Sequence, residues 1–383
     1  MTLALYCILL LQPCSCIHSS TRRMSSYSSS WFRDLFGFDE LQHGYHHVQS
    51  NFRLQHTEKT IILHSMYNSR SFPIGRFTCR SVKELRETAL GHLRRFESSE
   101  RSHIEIVHDV VEDALQLHCR YPGAVIQAAS QLNCLEFPHP NVTPEHGVTD
   151  YVDDDTQGPA CAMACAGGTV YRNYFAPVRG GIGQTAERQF NNLDGVEEIL
   201  GEPKLWQVKN GYIFSTEANL SRLLSTLRGI EDEIIDAVRV GVHEDVGVTF
   251  QERFIETPPT NALIVTQIYC SALSCAYSGI PNQCWEQFAR LVLDACYEAT
   301  LWASVVNSIE RTELEKPYRN DVFLTLIGGG VFGNDLEWIL TAMIRAIKIL
   351  QGTNGVRLRI HVCHHRKINL RVAYAINKGT GIL

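Results

Sequence analysis

Three short stretches of the chain combine small residues with polar or acidic ones in patterns that could hold or act on a ligand. In VIQAASQLNCLEF, beginning at Val125, an apolar run ends at Ala128-Ala129-Ser130 and passes into Gln131, Asn133 and Glu136. Small residues at a strand end let a ligand approach the backbone, and Asn and Gln side chains both donate to and accept from sugar hydroxyls. The same side chains can equally bond their own loop. In YVDDDTQGPACAMACAGG, Asp153, Asp154 and Asp155 precede Gln157, Gly158 and Pro159 at a helix start. Capping explains one acid there. The other two could serve a divalent cation such as Mg²⁺ or provide a general base, unless the run is simply an exposed acidic loop.

The third stretch is VFLTLIGGGVFGNDLEW, from Val322. Gly328, Gly329 and Gly330 follow an apolar strand and precede a helix, the context that makes a glycine run informative. Glycines admit positive φ and expose backbone N–H groups to an anion. Asn334 is placed to cap the helix, with Asp335 and Glu337 in its first turn, and those acids oppose a phosphate on the helix axis. A diphosphate would instead lie against the Gly329–Gly333 backbone. There is no GxGxxG, no Lys-Ser/Thr after the glycines, no GxSxG and no HExxH. A second glycine loop, GGIGQTAERQFNNL, offers Gln184, Thr185 and Arg188 as polar contacts, and the adjacent His364 and His365 point apart on a strand.

Continuous apolar runs alternating with helices must position these stretches. GAVIQAAS, AVRVGVHEDVGVTF, ALIVTQIYCSAL, VFLTLIGG and VRLRIHVCH read as strands, and LWQVKNGYIF as a strand or hairpin. CWEQFARLVLDACYEATLWASVVN and the segment after Asn334 read as helices, as does PACAMACAGGTVYRNYF with Pro159 in its first turn. Upstream, TIILHSMYNSRSFPIGRFTC resembles a hairpin. SVKELRETALGHLRRF is a helix opened by the Ser81/Glu84 capping box, and IEIVHDVVEDALQLHCR holds another. The expected class is α/β, three layers with a mixed, mainly parallel central sheet. Residues 31–120 read as an N-terminal extension packed on a main domain at 121–370, with a C-terminal tail at 371–383.

Composition narrows the partners. The chain has 383 residues, is 44% hydrophobic and carries a formal charge of −6, which gives no broad electrostatic footprint for DNA or RNA. LALYCILLLQPCSC has the length of a signal-peptide core but no preceding basic residue, and is too short for a membrane span. The first 23 residues are therefore a cleaved signal, a transit segment, or sequence upstream of a start at Met24, and residues 1–30 read as a targeting-like or disordered segment. Ten of the 13 cysteines lie beyond Met24 inside apolar patterns, and Cys161 and Cys165 have no zinc partners nearby. Buried thiols favour a reducing, intracellular compartment, cytoplasmic or organellar, and weigh against the sequons at Asn141 and Asn219, without excluding secretion.

Taken together, VIQAASQLN, TQGPACAMACAGG and GGGVFGN before an amphipathic helix resemble the macrodomain superfamily, and loosely its poly(ADP-ribose) glycohydrolase branch. The similarity covers roughly residues 120–365 in order of elements. It implies that Gln127, Ser130, Gln131 and Asn133 face a distal ribose, that Gln157 and Gly158 lie in the first loop, and that Gly328, Gly329, Gly330, Val331, Phe332, Gly333 and Asn334 wrap a diphosphate. The departures are specific. The usual Asn-Ala-Ala-Asn is Gln127-Ala128-Ala129-Ser130, the first loop lacks a Gly-Gly-Gly run, and the paired glutamates of the glycohydrolase branch are absent. Three functions follow as expectations. One is an ADP-ribosyl hydrolase with Asp155, Glu136 and Asn133 as candidate catalytic residues and no cofactor beyond a possible Mg²⁺; it would act on an ADP-ribosylated macromolecule or small metabolite. The others are a non-catalytic ADP-ribose or nucleotide reader and a structural protein on the same fold.

Overall fold

Along Val322-Phe323-Leu324, successive side chains enter two different cores: Val322 and Leu324 one, Phe323 the other. Ile268-Tyr269-Cys270 alternates in the same way. Side chains of a strand point alternately to its two faces, so a strand that is apolar throughout must be covered by helices on both sides. The structure is a computed structural model that describes residues 30–382 except 43, 59, 96–99, 251–262 and 313–316. The N-terminal targeting-like segment thus lies outside the described residues.

The strands are β1 (Phe52–His56), β2 (Ile61–Ser65), β3 (Ser71–Ser81), β4 (His103–Val111), β5 (Val125–Ala129), β6 (Pro177–Val178), β7 (Gly181–Ile182), β8 (Gln207–Lys209), β9 (Tyr212–Phe214), β10 (Arg239–Gly247), β11 (Ile264–Cys270), β12 (Asp321–Leu324) and β13 (Arg357–His365). Nine form one sheet in the order β1-β2-β3-β10-β11-β5-β12-β13-β4, and β6-β7 and β8-β9 are small hairpins. The five from β11 to β4 pair in parallel, the others antiparallel. One face carries the long helix Asn282–Glu310 with Val82–Arg95 and Leu336–Gln351; the other carries Gln157–Ala164 and Ala166–Tyr174. The expected α/β three-layer architecture with a mixed sheet is the observed one.

Three boundaries differ from those read in the sequence. Residues 31–120 are not an appendage: β3 pairs with β10 inside the sheet, and β4 closes the opposite edge against β13. The mixed pattern of β4 arises because it is an edge strand, half solvated. Residues 371–383 are not a free tail, since Leu370–Thr380 is a helix capped by Asn369 that buries Val372 and Ile376. The expected single helix after Gln157 breaks at Cys165 into Gln157–Ala164 and Ala166–Tyr174. There the Thr249 N–H donates to Ala164 O (2.7 Å) and the Thr169 hydroxyl to Ala162 O (2.7 Å), satisfying carbonyls that the helix releases.

The buried Glu40 carboxylate ties the N-terminal helices to this layer. It accepts from the Thr149 N–H (2.7 Å) and the Tyr174 hydroxyl (2.8 Å). Ser81 and Glu84 form the expected capping box, with the Ser81 N–H donating to Glu84 Oε2 (2.7 Å) and the Glu84 N–H to Ser81 Oγ (3.2 Å).

Candidate functional site

The carboxyl ends of β5, β11, β12 and β13 open into a cleft of about 550 Å³, where Ala129, Cys270, Thr325 and His365 meet. Strand carboxyl ends beside a change in strand order are where open α/β sheets form crevices, and the volume suits a small-molecule ligand. All three stretches singled out in the sequence reach it. Its walls include Ser130, Gln131 and Glu136 from the first, Asp155, Gln157 and Gly158 from the second, and Gly328, Gly330, Val331 and Phe332 from the third.

The first loop is held by its own amides. Gln131 Nε2 donates to Phe137 O (3.1 Å) while its Oε1 accepts from the Phe137 N–H (2.8 Å). The Ser130 hydroxyl donates to Gln131 O (3.1 Å). Asn133 turns away from the cleft, donating to Gln189 Oε1 (2.8 Å) and accepting from the Leu135 N–H (3.1 Å). Gln127 does not line the cleft either. Its fully buried amide donates to Thr300 Oγ1 (3.0 Å) and accepts from the Thr325 N–H (3.2 Å), joining β5 to the long helix and to the end of β12.

Gln157 performs a task that its sequence position does not announce. β12 pairs with β5 only at Val322↔Val125 and Phe323↔Ile126, leaving the later β5 groups on that side without a partner in β12. The Gln157 carboxamide takes that place, accepting from the Ala129 N–H (2.8 Å) and donating to Gln127 O (2.7 Å). Gly158 follows at the point of closest approach. A Cβ there would lie 1.9 Å from Ala129 O and 3.3 Å from Glu136 Cγ.

Glu136 is the buried carboxyl of the cleft. Burial pushes it up to about 8, against the downward pull of Arg172. Its Oε2 lies 3.5 Å from Arg172 Nη2, and among the described residues its Oε1 has no hydrogen-bond partner. Its backbone N–H donates to the Tyr151 hydroxyl oxygen (2.9 Å). The fully buried Arg172 packs 3.7 Å above the Tyr269 ring and donates from Nε to Cys134 O (3.1 Å). His243, beside it, is pushed well down by burial and by Arg172.

Asp155, by contrast, is exposed at the rim, and Asp154 accepts from the Thr156 N–H (2.8 Å). Among the described residues no three His, Cys, Asp or Glu side chains converge as a metal would require. From the second glycine loop, Gln184 is buried and donates to Asn133 O (3.1 Å), Arg188 donates to Gly183 O (3.2 Å), and the Thr185 N–H to Arg188 O (2.8 Å). All three are internal fastenings.

In the third loop Gly328 and Gly333 both take φ +74°. A Cβ on Gly328 would lie 2.3 Å from Ala272 Cβ, and one on Gly329 3.1 Å from Ile339 Cδ1, whereas Gly330 has open space. Among the described residues the N–H groups of Gly330, Val331 and Phe332 donate to no protein acceptor. The helix cap differs from expectation. Asp335, not Asn334, is the N-cap and accepts from the Glu337 N–H (2.8 Å). Asn334 is instead drawn into the loop, donating to Leu273 O (2.8 Å) and through its N–H to Gly328 O (2.9 Å).

Sequence reasoning missed an aromatic group on the cleft wall. Tyr212 and Tyr277 lie 4.9 Å apart by ring centroid, with Phe332 at 5.6 and 5.8 Å from them. Only the Asn210-Gly211 turn between β8 and β9 hinted at Tyr212, and Tyr277 ends the three-residue 3-10 helix Cys275–Tyr277, too short to leave a periodic signal. Arg172 was missed because a lone arginine in a small-residue helix resembles a surface position.

No protein-family model and no curated protein matches the chain. Among solved structures it is similar to poly(ADP-ribose) glycohydrolase from Deinococcus radiodurans in complex with ADP-ribose, with a TM-score of 0.40 and 9% identity over 80% of this chain and 94% of that one. It is also similar to the enzyme of that name from Thermomonospora curvata (TM-score 0.38, 11% identity, 82% and 91% covered) and to the latter bound to the inhibitor ADP-HPD (0.37, 11%, 81% and 90%).

Proposed function

We propose that the cleft binds ADP-ribose or a related nucleotide and that Glu136 acts on the ribosyl linkage of an ADP-ribosylated substrate. The observation that carries the reading is the meeting, in one cleft, of a buried carboxyl with an oxygen that has no hydrogen-bond partner among the described residues and a glycine loop with unused backbone amides. The amides of Gly330, Val331 and Phe332 suit a diphosphate, which a backbone concavity can bind without a lysine. The Tyr212, Tyr277 and Phe332 rings suit the base. Asp335 and Glu337 keep the anion off the helix axis, so the loop meets it from the side.

With its pKa about 8, Glu136 holds a proton at neutral pH. In hydrolysis it donates that proton to the leaving oxygen as the bond from that oxygen to the anomeric carbon breaks. Water then adds to the carbon and returns a proton to the carboxylate, which closes the cycle. Asp155, exposed at the rim, is the weaker candidate for a base. Binding without turnover is the second reading, favoured by the placement of Asn133, whose amide is used inside its own loop.

The test is calorimetry and thermal shift with ADP-ribose, NAD, cyclic ADP-ribose and other nucleotides, with and without Mg²⁺. Binding is expected at roughly −8 to −12 kcal/mol. No heat and no shift with ADP-ribose at millimolar concentration overturns both readings.

A further inference from the structure

From Val356 to Leu383 the chain holds six Lys and Arg residues and no Asp or Glu, although its overall charge is −6. Arg357 and Arg359 are paired with Glu100 and Glu105. Arg366, Lys367, Arg371 and Lys378 are exposed, and among the described residues no carboxylate lies within ion-pair distance of them. They are not scattered. Arg366 follows His365, which ends β13 on the cleft wall, and its φ of +61° turns the chain out at the rim. On the helix Leu370–Thr380, Leu370 (78% exposed), Tyr374 (66%) and Lys378 repeat every four residues with Arg371 beside them, and Lys378 Nζ lies 5.6 Å from the Tyr374 ring centroid. The opposite face is the buried one.

Exposed cations without an ion-pair partner among the described residues, interleaved with an exposed aromatic ring, are what a single-stranded nucleic acid requires, with phosphates on the cations and a base on the ring. The whole-chain charge conceals this because the acids lie elsewhere. A small pocket that shares Asp155 and His365 with the cleft is lined also by Glu112 and Asp113, so acids gather before His365 in space while the exposed cations Arg366 and Lys367 follow it in the chain.

We propose that the face formed by Arg366, Lys367, Arg371, Tyr374 and Lys378 binds a single-stranded nucleic acid and presents its ADP-ribosylated terminus to the cleft. The presentation rests on the function proposed above; the strand-binding face does not.

The experiment uses the full chain and fluorescence anisotropy with labelled oligothymidylate and oligoadenylate of about 12 nucleotides. Wild type binds both, and binding weakens with salt. The variant Arg366→Gln/Lys367→Gln/Arg371→Gln loses about tenfold or more in affinity, and its slope of log K against log salt is shallower by about 2. Its ADP-ribose thermal shift matches wild type. Tyr374→Ala, on the same face, loses about tenfold. An oligonucleotide with a terminal ADP-ribosyl group binds wild type about a hundredfold more tightly than the bare strand, because both sites are then engaged.

If wild type binds no oligonucleotide, or the triple variant binds like wild type, the strand-binding face is overturned while ADP-ribose binding stands on its own titration. If oligonucleotide binding behaves as expected but ADP-ribose gives no shift, the cleft reading and the presentation fail and the face stands. Binding to phosphatidylserine vesicles without oligonucleotide binding also overturns the proposal and assigns the face to a lipid surface.

Discussion

Gly158 lies so close to Ala129 that a Cβ on the glycine would meet the alanine carbonyl oxygen at 1.9 Å. The neighbouring Gln157 carboxamide bonds the same strand end, so the start of the Gln157–Ala164 helix is seated on β5 as another strand would be. This contact joins the fold to the cleft. Gly158→Ala should destabilise the chain by about 1–3 kcal/mol, because backbone on both sides must shift. It should also weaken the ADP-ribose thermal shift, since Glu136 Cγ is the next neighbour of the added methyl. Urea denaturation and the thermal shift read the two effects separately.

Glu136→Gln keeps the shape of the protonated acid and removes the proton donor. Turnover should fall by about 10²–10⁴-fold while ADP-ribose binding stays close to wild type. The wild-type rate should decline as pH rises through about 8, the point at which Glu136 loses its proton. A pH–rate profile at saturating substrate, beside calorimetry of the variant, decides this. Equal loss of binding and turnover would assign Glu136 to binding alone.

The same residue makes stability depend on pH. Its folded pKa, about 8, is above the ordinary 4.5, so the folded chain keeps a proton that the unfolded chain has already lost. The stabilising contribution is fully present below about 4.5 and is lost progressively as pH rises to about 8. Glu136→Gln cannot ionise, so its stability relative to wild type should increase across that window and level off above it. Urea midpoints at a series of pH values measure the difference.

Asp155→Ala contrasts with these. Its side chain is exposed at the rim, so stability should change by no more than about 0.5 kcal/mol. Turnover should fall far less than in Glu136→Gln. Comparable losses in the two variants would make Asp155 the working base.

The glycine run divides in a way that two substitutions can show. Gly328→Ala places a side chain at φ +74° and 2.3 Å from Ala272 Cβ, and should cost about 1–3 kcal/mol of stability. Gly330→Val meets open space. It should fold normally and still weaken ADP-ribose binding, because it projects beside the unused amides. Denaturation midpoints and calorimetry of the pair distinguish a structural glycine from a ligand-facing one.

The order of the main strands and helices from Val125 to His365 was legible because the central strands β5, β11 and β12 are largely apolar and the long helices keep their periodicity. The class of the fold and the three loops at the cleft followed from that order. Where residues sit inside a loop was not legible. Asn133, Asn334 and Gln127 have the side chains that a sugar site uses, yet each is spent on a neighbouring chain segment. Amides bond backbone and ligand equally well, and only the tertiary arrangement settles which partner is in reach.

The sequence by itself determined the main strands and helices between Val125 and His365, and that glycines and small residues stand at their ends, because periodicity and side-chain size are local properties; it did not show β4 as a strand or Leu370–Thr380 as a helix. Long-range packing decided the rest. It brought β3 and β4 into the sheet and set Tyr212 and Tyr277 beside Phe332. It also buried Glu136 beside Arg172, and that burial pushes its carboxyl up to about 8. A carboxyl's proton affinity depends on the water and charge around it, and the packed chain alone fixes both.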